Sequence, residues 1–152
     1  MSDLPPLLRA HLDLINDVRE IQGPEAHPRI LEWFAHTTLD TDSDETANCS
    51  AAMCAWHEES GISSTRSAAA RSWAAWGIEV HGWQNVRPGD VMVEWRGHPD
   101  SWKGHVSMIC DWPVHSMTQT CIGANQRERG FDRVCIKERL TDHLLSYRRA
   151  AG

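Results

Sequence analysis

Three residues, Cys49, His105 and Asn125, have the types and the order of a thiol-based acyl-transfer site. In such a site a thiolate attacks a carbonyl carbon. An imidazole takes the thiol proton and later gives it to the leaving nitrogen, and a side-chain amide fixes the imidazole tautomer. Cys49, Ala52, Met53 and Trp56 recur at i, i+3, i+4 and i+7. That spacing predicts a helix over about residues 46–60, capped by Asp44 or Thr46 and closed by Gly61. Cys49 then lies in the opening turn, where unpaired amides and the helix dipole favour a thiolate. The same phase turns Cys49 inward with Met53 and Trp56, so a small buried core residue is the competing reading.

His105 follows Gly104 at the head of an apolar run, Val106 to Cys110, that reads as a strand. An imidazole there can lean toward a neighbouring helix start, or it can simply be a histidine at a strand edge. Gly123-Ala124-Asn125-Gln126 closes the next predicted strand, Met117 to Ile122. If the two strands form a hairpin, Asn125 comes level with His105 and can orient it. The competing reading of those four residues is a turn chosen for its backbone angles.

The elements that must position these residues change character along the chain. Apolar positions predict a helix over 7–21 and a second one from Pro28 to Thr37. An Ala-rich helix is expected from Ser67 to Trp76. Strands are expected at Val91–Trp95, His105–Cys110 and Met117–Ile122, with shorter ones at Arg133–Ile136 and Leu144–Tyr147. Helices first and strands later is an α+β pattern. With 152 residues, a single domain is expected, with residues 1–24 as an N-terminal helical extension and 25–152 as the domain proper. The net charge of −6 gives no global footprint for nucleic acid or anionic lipid. The five cysteines are an odd number without a C-x-x-C pair, which argues against a disulfide framework.

The chain resembles the CHAP/NlpC-type, papain-like cysteine amidases and endopeptidases of bacterial and phage cell-wall lysis. The matching stretches are His27-Pro28-Arg29-Ile30, Asp44 to Ala51, Thr65 to Trp73, Trp76-Gly77, Pro88-Gly89-Asp90-Val91, Gly104-His105-Val106, Gly123 to Gln126 and Tyr147-Arg148. The resemblance implies a papain-like fold, with helices and a helix-borne nucleophile packed on a C-terminal antiparallel sheet. It also implies cleavage of an amide bond in peptidoglycan, as in phage endolysins. Cys49 would be the nucleophile, His105 the base and acid, and Asn125 the orienting residue. Asn48, Trp73 and Gln126 are the candidate substrate contacts. Two departures stand out: Asn48 replaces the Trp that usually precedes the nucleophile, and Ala124 replaces a Gly. The Asn48 amide is itself a candidate oxyanion donor. An interbacterial amidase toxin of the same chemistry and a non-catalytic wall-binding protein remain as alternatives.

Peptidoglycan is the expected partner, of a monomer that binds neither nucleic acid nor membrane. Residues 1–6 lack a basic n-region and an apolar h-region, so synthesis in a host cytoplasm without a signal peptide is expected, with action on the wall or periplasm. No cofactor is expected. Asp40, Asp42 and Asp44 are the candidate calcium ligands, against a solvated loop as the default. Cys54 and His57, three apart on a helix, are half of a possible zinc site without a second half. The tryptophans read mainly as core, with Trp73 or Arg71 as a possible groove border.

Overall fold

The computed structural model describes residues 4–21, 26–38, 48–128 and 131–152. The α+β expectation holds: α1 (Pro6–Ile15), α2 (Pro28–Ala35) and α3 (Cys49–Glu58) precede a six-stranded antiparallel sheet. Its strands are β1 (Ile78–Glu79), β2 (Val91–Trp95), β3 (Gly104–Ile109), β4 (Thr118–Glu128), β5 (Phe131–Leu140) and β6 (Leu144–Arg149). They lie in the order β1-β6-β2-β3-β4-β5. Among the described residues no helix is long and apolar enough to cross a membrane.

Side chains alternate across the sheet, as a two-residue period requires. Val91, Val93, Val106, Met108, Ile122 and Ala124 face the helices and share a core with Ile30, Trp33, Phe34, Ala52, Met53 and Trp56. Met92, Ile109, Cys121 and Tyr147 face the other way and build a second, smaller core with Val80 and Val86.

The first helix is shorter than its apolar pattern suggests and is turned differently. It ends at Ile15, Asp17 takes a left-handed φ of +52°, and Arg19 then bridges to Arg133 of β5. Leu8, Leu12 and Ile15 stay exposed, whereas Ala10 and Asp13 are buried. The polar residue decides the rotation. Asp13 accepts hydrogen bonds from the indoles of Trp33 (3.2 Å) and Trp56 (2.8 Å) and from Arg29 Nε (3.1 Å). A buried carboxylate needs such partners. Through Ala10, Asp13 and Val18, residues 6–18 share the core of the remainder.

Two other expectations change. The Ala-rich segment forms a 3-10 turn, Ala70–Ala75, instead of an α-helix. Three residues per turn place Ala70 and Trp73 on one inward side. Gly123 to Gln126 does not end its strand. β4 runs on to Glu128, paired with β5, with a register shift between Gly123 and Gln126. The helix over 49–58, its Gly61 at φ +79°, and the β2 and β3 spans agree with the sequence reading to within a residue or two at most boundaries. The expected caps, Asp44 and Thr46, lie outside the described residues. Asn48 occupies the cap position without a side-chain cap bond.

Candidate active site

Cys49 is the first residue of α3, and its neighbour Ser50 anchors that helix start. Ser50 Oγ donates to the Ser67 carbonyl at 2.6 Å and accepts from Trp73 Nε1 at 2.9 Å. Trp73 is fully buried, so its proposed place on the groove is corrected to a structural one. It steadies the residue after the nucleophile candidate. Arg71 likewise serves the fold. Its guanidinium holds the loop between β2 and β3 by the carbonyls of His98, Pro99 and Lys103 at 2.8, 2.6 and 2.7 Å.

That loop leads into His105. β2 and β3 pair Glu94↔His105 and Trp95↔Gly104. A Cβ on Gly104 would lie 2.8 Å from the Glu94 carbonyl and 2.9 Å from Arg71 Cγ, so only glycine allows this approach. The pleat turns Val106 to the helices and sets His105 on the face shared by its partner Glu94. His105 has no exposed surface.

The Cys49 sulfur meets β3 one residue further along, where the Val106 N–H faces it, together with the Ser50 and Cys49 amides. The sulfur thus meets β3 at the residue after His105, and no hydrogen bond between the Cys49 and His105 side chains occurs among the described contacts. His105 Nδ1 instead faces Arg96 Nη2 at 3.1 Å. A guanidinium only donates, so Nδ1 is the acceptor here and cannot hold the proton while this contact lasts. The Arg96 charge also reaches Cys49.

The electrostatics correct the simple helix-mouth expectation. Cys49 is 4 % exposed. Burial pushes its thiol up, and the Val106 amide, Arg96 and the helix amides offset this only in part. The resting state is a thiol, and ionising it requires a proton acceptor.

Asn48 is buried, and its Oδ1 has no hydrogen-bond partner among the described residues. Such an atom is costly unless something else uses the side chain. For Asn125 the backbone alone is described. The printed pairs of β3 with β4, Met108↔Ile122 and Ile109↔Cys121, stop short of residue 125, which falls in the β4 irregularity between Gly123 and Gln126. The side chains of Asn125 and Gln126, and the whole of Asp40, Asp42 and Asp44, lie outside the described residues. No group that could hold a metal occurs among the described residues. Cys54 and His57 have separate partners: Cys54 Sγ lies 3.7 Å from the Ser67 carbonyl, and His57 Nδ1 bonds the Met53 carbonyl at 2.8 Å.

His57 carries a pH consequence. It sits between Trp73 and Trp76, ring centroids 5.1 and 5.0 Å away. Burial pushes its imidazole down to about 4, outweighing the Met53 bond. The unfolded chain therefore binds the extra proton between about pH 6.5 and 4, and stability falls as pH falls through that window. Fully expressed at low pH, this preference for the neutral ring is worth about 3 kcal/mol. Urea unfolding of wild type and His57→Gln at pH 7.5 and 4.5 checks this. The wild type should lose about 2–3 kcal/mol more than the variant, and equal losses would refute it. Glu58 and Glu59, whose hydrogen bonds hold them low against burial, add an acid limb common to both proteins.

Arg96 is the residue the sequence reading missed. Its signal was the hairpin register: Arg96 N bonds the Lys103 carbonyl, which sets Arg96 diagonal to His105 on one face. No protein-family model, curated protein or solved structure matches the chain.

Proposed function

We propose that the protein is a papain-like cysteine amidohydrolase that cleaves an amide bond of peptidoglycan. The observation that carries this reading is the meeting of Cys49, at the mouth of α3, with the β3 backbone beside His105. In the proposed reaction Cys49 passes its proton to His105 and attacks the carbonyl carbon. The amides of Cys49 and Ser50, with the Asn48 side chain, receive the oxyanion. His105 returns the proton to the leaving nitrogen. Water, deprotonated by His105, then breaks the thioester and restores the thiol. Asn125 is the proposed orienting residue.

The burial of both groups requires the site to open before substrate reaches the sulfur. The same burial favours the second reading, a wall-binding protein whose thiol never reacts. Mass spectrometry of fragments released from purified peptidoglycan separates the two. The hydrolase reading expects fragments with new amino groups at one kind of amide bond. Wall that binds protein but yields no such fragments would favour the second reading.

A further inference from the structure

His57 lies in the last turn of α3, at the end opposite Cys49. Its ring is 2 % exposed and packs between Trp73 and Trp76. Nδ1 meets the Met53 carbonyl, which can only accept, so Nδ1 carries the hydrogen and Nε2 the lone pair. Among the described residues nothing donates to Nε2. Nor is that atom sealed in the core, as Asn48 Oδ1 is. It opens on a cavity of about 220 Å³ walled by Pro6, Ile62, Pro88 and Ala150. The charged groups of the same wall are served elsewhere. Asp90 accepts from Arg149 Nε and Nη2 at 2.7 and 2.6 Å and from the Arg87 N–H at 2.9 Å. Arg87 is exposed, and water solvates its guanidinium.

We propose that this cavity is a binding site for a small aromatic ring bearing an O–H or N–H group, which donates to His57 Nε2 while the ring lies against Pro6, Ile62 and Pro88. The site stands apart from the hydrolase reading and does not need it. A buried acceptor in a largely apolar pocket selects a ligand that is apolar in body and carries one well-placed donor. An apolar cavity of ~150 Å³ already accommodates benzene, so the space here suits a single substituted ring. Water is a poorer occupant. A well-held buried water makes about three hydrogen bonds, and beyond Nε2 this wall offers it mostly carbon and an ion pair already closed on itself. A ligand hydroxyl that replaces such a water keeps the Nε2 hydrogen bond and adds apolar contact.

Phenol and toluene test this with the full chain at neutral pH. The two have nearly the same shape, and phenol alone carries a donor. Toluene leaves water more readily, so a merely apolar pocket prefers it. Each compound is titrated while NMR follows the indole N–H signals of Trp73 and Trp76, which flank His57, and the His57 Nε2 signal. The expected result is saturable binding of phenol, about fivefold tighter than that of toluene, with a shift of the Nε2 signal. His57→Phe keeps a ring at the position but no acceptor, and should reverse the preference in favour of toluene. Toluene binding wild type as tightly as phenol, or a folded His57→Phe that still prefers phenol, would overturn the proposal. So would the absence of any saturable shift with phenol, which would mean that the cavity holds water only. The wild-type comparison decides by itself if His57→Phe fails to fold.

Discussion

Asp13→Ala is expected to cost about 3–5 kcal/mol of folding stability, a large share of what a domain of this size possesses. The carboxylate takes three donors at once: the indoles of Trp33 and Trp56 and the Arg29 guanidinium. Two donors come from α2 and one from α3, so the variant strands two indole N–H groups in the core. Arg29 keeps its Glu59 hydrogen bonds, at 2.7 Å each, but loses the partner that faces the core. Asp13→Asn retains an acceptor oxygen and should cost less, about 1–3 kcal/mol. Urea unfolding with an unchanged slope is the measurement. A midpoint for Asp13→Ala within about 0.5 kcal/mol of wild type would mean that α1 is not held by this carboxylate.

Cys49→Ala is expected to abolish release of peptidoglycan fragments, and His105→Ala to slow it by about 10²–10⁴-fold. The two differ because their roles differ. Without the sulfur there is no covalent intermediate. Without the imidazole the thiol still exists, but burial holds it protonated and the leaving nitrogen receives no proton. Both variants should fold, since removing Sγ or the imidazole leaves the Ser50–Trp73 anchor and the β2–β3 pairing in place. Retention of wild-type fragment yield by Cys49→Ala would end the nucleophile assignment, and normal rates in His105→Ala would end the base assignment.

Much of this site was legible because it depends on local signals. The i, i+3, i+4, i+7 run placed Cys49 at a helix start, and the Gly104-His105-Val106 run placed His105 at a strand start. Other features depend on contacts distant in sequence, which periodicity does not record. α1 turns on Asp13 because its partners lie on α2 and α3. For Trp73 the sequence favoured core but left the groove open, and the Ser50 bond that places it in the core spans 23 residues. Arg96 reaches His105 across a hairpin whose register was not worked out residue by residue. The helix-mouth argument for a ready thiolate failed for a related reason: it counted the amides and the dipole but not the burial that opposes them.

The central claim is that the Cys49 thiol and the His105 imidazole exchange a proton when the site opens. The pH dependence of iodoacetamide labelling at Cys49, in wild type and His105→Ala, tests it most directly. A thiol ionising alone in this buried position reacts only on the alkaline side of the ordinary thiol range. Wild type should show an additional reactive limb well below that range, and His105→Ala should lack it. Superimposable profiles in the two proteins would contradict it.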